Sequence, residues 1–173
     1  MKLAVRLSTT FLFVSGLVCA QGPLMQSILP KYNSAKLNLI EAAEFMPASE
    51  YGFKLTPAQR AFGEWMDHNI SMNYSLCARA EGKAANAKKP ASMSKEDLVA
   101  GLKESFQYCD SVFQGMTDEK AMKLVESGGR NVLPADTMIS LLINWNEHYG
   151  NLVGYLRSKG IVPPTTARAS KKK

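Results

Sequence analysis

Apolar residues in this chain recur every three or four positions over long stretches, and Pro and Gly cut those stretches apart. Leu98, Leu102, Phe106, Cys109 and Phe113 form one such series, and Leu141, Trp145, Tyr149, Leu152 and Leu156 form another. At about 100° per residue each series falls on one face of a helix. No segment shows the alternating apolar and polar pattern of a half-buried strand, and no internal repeat is evident. A chain built this way must bury its stripes helix against helix.

The breakers set the expected boundaries. A first helix is expected from about Leu24 to Phe45, stopped by Pro47, with Pro30 as a point where its first turns can separate from the rest. Thr56, Pro57 and Gln59 offer an N-cap, a first helical position and a capping-box partner, so a second helix is expected from there to Glu81, closed by Gly82. The Ala/Lys/Pro-rich stretch 83–93 reads as a loop. Ser94 caps a third helix that runs to Gly115, and Thr117 caps a short one through Val125. Residues 126–133, with Gly128 and Gly129, read as another loop. Pro134 opens the last long helix, which ends near Lys159 before Gly160, Pro163 and Pro164. The expected fold is all-α: a four-helix bundle with short extra helices. The loops are long enough for a crossover topology.

The first twenty residues stand apart from this pattern. Lys2 and Arg6 precede a mostly apolar run from Leu7 to Val18, and Val18-Cys19-Ala20 offers small residues for a cut before Gln21. This is the build of a secretory signal peptide, and the run falls short of the roughly 20 residues of a transmembrane helix. The alternatives are an uncleaved N-terminal anchor or a lipoprotein leader with Cys19 as the attachment residue, although Gly16-Leu17-Val18 suits lipid attachment poorly. The signal reading makes the protein exported, periplasmic or secreted, with no membrane attachment after cleavage. The domain then spans residues 21–164, followed by a basic tail at 165–173.

Charge has meaning only when it is divided along the chain. The formal net charge is +6. Lys2 and Arg6 supply two of those charges, and Arg168, Lys171, Lys172 and Lys173 supply the other four, so residues 21–164 are formally neutral. The tail therefore carries the basic character and reads as solvated and disordered. No basic stripe marks a folded face, so nucleic acid is not expected as a partner.

Cleavage leaves two cysteines, Cys77 and Cys109. In an oxidising compartment an even pair suggests one disulfide, here between two helices. The alternative is two small buried residues that never meet.

Two histidines carry the chemical interest. His148 lies about 60° from the apolar line of the last helix, one turn after Asn144. His68 lies one turn after Trp65, also at the border of an apolar face. Border histidines on two helices can converge in a bundle, where facing helices build metal sites. Imidazole suits Zn, Ni, Cu and Fe, but two ligands leave a site incomplete. The plainer alternative is two part-buried, hydrogen-bonded side chains. Asp67, Glu64 and Glu147 neighbour the histidines as candidate ligands, bases or orienting groups, with Glu147 and Asp67 the candidate catalytic bases. CxxCH, HExxH, GxSxG, a phosphate-cradling glycine motif and the paired Glu-x-x-His of di-iron bundles are all absent.

Three stretches together resemble the DinB-like (DinB/YfiT) superfamily. They are FMPASEYGFKLTP at 45–57, FGEWMDH at 62–68 with Asn73 and Tyr74, and NWNEHYGNLVGYLR at 144–157, closed by KGIVPP at 159–164. The resemblance covers about residues 24–164. It implies a four-helix bundle, often a homodimer, that binds a divalent metal (Zn, Ni or Fe) through three histidines. His68 matches the ligand on the second helix, and His148 matches the second of two ligands on the last helix. The first of those two falls on Asn144, a weak oxygen ligand and a departure from the pattern. By resemblance, the function is a metal-dependent enzyme of the thiol-dependent transferase or hydrolase type acting on a small molecule. The alternative is a non-catalytic exported bundle with a degenerate metal site that binds a small ligand or protein.

Overall fold

The computed structural model describes residues 21–171. The segment read as a signal peptide, and Lys172 and Lys173 of the basic tail, lie outside the described residues. Six helices and one short hairpin follow in order: α1 (Pro23–Phe45), α2 (Phe62–Ala80), α3 (Lys95–Gly115), α4 (Asp118–Ala121), β1 (Val125–Ser127), β2 (Arg130–Val132), α5 (Pro134–Ser158) and α6 (Pro164–Ser170). A single 3-10 turn, Ala48–Glu50, interrupts the α1–α2 connection.

The four long helices make the bundle that the periodicity predicts. α1 packs mainly on α3 and α5, and α2 packs mainly on the same two helices. Helices α1 and α2 are thus diagonal partners, as are α3 and α5. The α1–α2 and α3–α5 connections both cross the bundle, which explains their length. Trp145 of α5 sits at the centre with no exposed surface. Its ring lies 5.4 Å from Phe106, 5.5 Å from Tyr32 and 5.9 Å from Phe113, centre to centre. Tyr32 keeps its hydroxyl satisfied by donating to Asp110 at 2.6 Å, and burial beside that carboxylate pushes its pKa well up. No described helix is long and apolar enough to cross a membrane.

Helix ends follow local chemistry where a local partner exists. The Ser94 hydroxyl accepts the Asp97 N–H at 3.2 Å, and that of Thr117 accepts the Lys120 N–H at 3.2 Å. α1 is capped from a distance. The Asp118 carboxylate accepts the N–H groups of Leu24 and Met25, both at 2.9 Å. Pro30 does not split α1, because it lies on the exposed face where water can take the carbonyl it leaves free.

Four sequence expectations are corrected. α2 begins at Phe62, not near Pro57. Residues 56–59 close a turn through the Gln59 N–H to the Thr56 carbonyl, and the N–H groups of Phe62 and Gly63 bond back to Phe53 and Tyr51. Glu64 takes over capping by accepting the Ala61 N–H at 2.6 Å. The short helix after Thr117 stops at Ala121, and Val125 belongs to β1. The stretch read as a loop at 126–133 holds an antiparallel hairpin pairing Val125 with Val132 and Ser127 with Arg130. Its turn uses Gly128 and Gly129 at φ 60° and 76°, where a side chain would be strained. The segment read as disordered from Thr165 contains α6. Pro164 is buried at its start, Thr165 donates its N–H to the Tyr149 hydroxyl at 3.1 Å, and Arg168 pairs with Glu41 and Asn38 of α1. A charge read as solvated thus holds a helix in place.

Cys77 of α2 and Cys109 of α3 form a disulfide with Cα atoms 5.5 Å apart. Both residues are fully buried, so the bridge lies inside the α2–α3 seam.

Candidate functional site

The seam between α2 and α5 carries a ladder of polar side chains. Trp65, Asn69 and Asn73 follow one another at four-residue intervals on α2, and each reaches a partner on α5. The Trp65 indole donates to the Tyr155 hydroxyl at 3.3 Å. Asn69 Oδ1 lies 3.0 Å from His148 Nδ1. Asn73 Oδ1 accepts the Trp145 indole N–H at 2.8 Å. Asn69 and Asn73 have no exposed surface, so these bonds satisfy groups that water cannot reach. Asn73 also donates to Ser105 of α3 at 2.9 Å, and Ser105 passes a bond to the Leu102 carbonyl. The ladder fixes the register of α2 against α5, since a slip of one turn would break every rung.

The two histidines meet at the middle rung. His148 is 6% exposed and His68 is half-buried. Their ring centres are 5.0 Å apart. Trp65 flanks both, 5.0 Å from His148 and 6.0 Å from His68. The Arg60 guanidinium lies 5.1 Å from the Trp65 ring. Desolvation is the main force on both imidazoles and disfavours their charged forms. The His148 pKa falls to about 4, helped by the facing His68 and by Arg60. That of His68 is also lowered, chiefly by burial and then by Arg60, against an opposing pull from Asp67. At neutral pH the site therefore presents two uncharged imidazoles, the form in which histidine binds metal.

The remaining sequence candidates divide. Asn144 is half-buried one turn before His148, and its Nδ2 donates to the Ser140 carbonyl at 2.8 Å, with no partner on Oδ1 among the described residues. Asp67 is half-buried beside His68, whereas Glu147 is exposed. Neither carboxylate hydrogen-bonds to a histidine among the described residues. Glu64 is occupied in capping α2, and that backbone bond lowers its pKa. Asn69 is the residue the sequence reading missed. Its only signal was its place between Trp65 and Asn73 at helical spacing, and its partner lies 79 residues away.

The donor set can be tested against a metal ion. At Zn–N distances of about 2.0–2.1 Å, two imidazoles sharing one tetrahedral ion hold their ring centres about 5 Å apart. The observed spacing matches. The bond from His148 Nδ1 to Asn69 is of the kind that orients metal-binding imidazoles. No group of three His, Cys, Asp or Glu side chains suited to one ion occurs among the described residues. The ring spacing is therefore compatible with two imidazoles sharing an ion, and no third His, Cys, Asp or Glu donor joins them among the described residues.

No protein-family pattern matches the chain, and no curated protein matches it. Solved structures do match its fold. A DinB-like protein from Bacillus cereus superposes with a TM-score of 0.67 at 15% identity, covering 80% of this chain and 95% of its own. A DinB-like protein from Bacillus subtilis gives 0.66 at 20% identity, covering 79% of this chain and 93% of its own. The chain therefore has the DinB-like bundle fold.

Proposed function

We propose that the protein is an exported bundle of DinB-like fold that binds one divalent metal ion, Zn, Ni or Fe, between His68 and His148. The observation that carries this reading is the 5.0 Å separation of the two rings across the α2–α5 seam, with His148 held by Asn69. His68 and His148 would hold the ion, and the Asn144 oxygen would supply a weak third contact. The ion would contribute Lewis-acid polarisation of a small-molecule thiol or other ligand. The chain's own part is to keep both imidazoles neutral by burial, to wall one side of the site with Trp65, and to hold Asp67 beside His68 as a proton acceptor. The sequence resemblance to a family that includes thiol-dependent transferases supports a reaction of the transferase or hydrolase type. The Cys77–Cys109 bridge and the N-terminal signal pattern support export. The homodimer the resemblance implies stays part of this proposal.

A second reading follows from Asn144. An amide where a third imidazole is expected weakens the metal site, and the bundle would then bind a small ligand or protein without catalysis. Metal content separates the two. The mature chain from Gln21, purified without a tag, is analysed by mass spectrometry beside His68→Ala and His148→Ala. About one ion per chain, lost in both variants, supports the metal reading. No ion, even after incubation with Zn, Ni and Fe(II), rejects it and leaves the binding module.

A further inference from the structure

We propose that Asn69 is a positioning residue: it fixes His148 with the proton on Nδ1 and so presents Nε2, unprotonated, as the nitrogen that takes the metal. The inference rests on the histidine-pair reading only for what Nε2 binds. The tautomer itself is a property of the metal-free chain.

The Asn69 side chain is fully buried, and each of its two ends has one partner. One end faces the Trp65 backbone carbonyl at 2.7 Å, and the other faces His148 Nδ1 at 3.0 Å. A peptide carbonyl can only accept, so the end facing Trp65 must be the NH2 group. The end facing His148 is then the amide oxygen, which also only accepts. Nδ1 must therefore carry the proton, and in the neutral ring Nε2 keeps a lone pair. Flipping the amide would set two oxygens against each other at Trp65 and strand a buried carbonyl, a cost the structure avoids.

The fold leaves Asn69 little freedom to do otherwise. The rungs on either side, Trp65 to Tyr155 and Trp145 to Asn73, hold α2 and α5 in register about it. A histidine side chain free in water favours the opposite tautomer, with the proton on Nε2. Asn69 thus removes the need to move that proton before an ion or a hydrogen-bond donor reaches Nε2.

Long-range proton–nitrogen NMR on the chelator-treated, isotope-labelled mature chain reads the tautomer directly at about pH 8, where histidine is neutral. His148 is expected to be protonated on Nδ1. In Asn69→Leu, which keeps the volume and removes the acceptor, the ring is expected to revert to mainly Nε2–H. Zinc affinity, measured by competition with a chelating dye, is expected to fall about 10–100-fold. A wild-type ring protonated on Nε2 overturns the proposal, and that result needs no variant to fold. An unchanged tautomer in a folded Asn69→Leu, or in Asn69→Ala if the first does not fold, also overturns it. A changed tautomer with unchanged zinc affinity refutes the positioning role. If the wild type binds no zinc at all, the metal reading fails while the tautomer measurement still decides what Asn69 does.

Discussion

Reducing the Cys77–Cys109 bridge should weaken the fold by an amount the loop length sets. The bridge closes 32 residues that run from the end of α2 through the 83–93 loop into α3. In the chain-entropy treatment a loop of that size removes about 3.7 kcal/mol from the unfolded state at 25 °C. The native side should change little, because Leu98, Leu102 and Phe106 also belong to the same buried core as Ile70 and Met66. With a urea m-value of about 2 kcal/mol/M, reduction should lower the unfolding midpoint by about 1.8 M. The assay is equilibrium urea unfolding followed by far-UV circular dichroism, with and without a phosphine reductant present throughout. Reduction deletes no side chain, so no cavity confuses the result. The m-value should also rise, since the released chain exposes more surface when unfolded. The reasoning is refuted if midpoint and m-value both stay unchanged while thiol titration shows full reduction. The unfolded chain would then already hold α2 and α3 together.

Three further outcomes follow. Asp118→Ala removes both side-chain acceptors from the start of α1 and should cost about 1–2 kcal/mol, read as a lower denaturation midpoint, with Asp118→Asn recovering part of the loss. In the chelator-treated protein, stability should fall as pH drops from about 6.5 to about 4, because the unfolded chain takes up protons that His148 and His68 resist in the fold. Stability should level off below that window as far as the histidines contribute, and His148→Gln should flatten the slope in thermal unfolding across the series. Asn144→His restores a third imidazole one turn before His148 and should tighten zinc binding by at least about tenfold in dye competition, whereas no gain would mean that position 144 does not face the ion.

The long helices were legible because their apolar series run for several turns and end at Pro or Gly. What escaped the sequence depends on partners far along the chain. Pro57 looked like a helix start by local rules, but the bonds from Phe62 and Gly63 back to Phe53 and Tyr51 move the start of α2 downstream. The hairpin strands are three residues each, too short to show alternation. α6 needs Glu41 and Asn38, more than 120 residues away, to anchor Arg168. At the site, the border positions of His68 and His148 suggested convergence, and the structure sets their rings 5.0 Å apart. Periodicity could not reveal that a buried amide at position 69 holds His148, because an asparagine on an apolar face looks in sequence like a flaw.

The most direct test of the histidine pair is anomalous X-ray scattering from crystals of the mature chain soaked with zinc, recorded on both sides of the metal's absorption edge. The account predicts one peak between the α2 and α5 rings, about 2.0–2.1 Å from a nitrogen of each of His68 and His148, with Nε2 the nitrogen on His148. A zinc peak bound to neither ring, or to His148 through Nδ1, would contradict it.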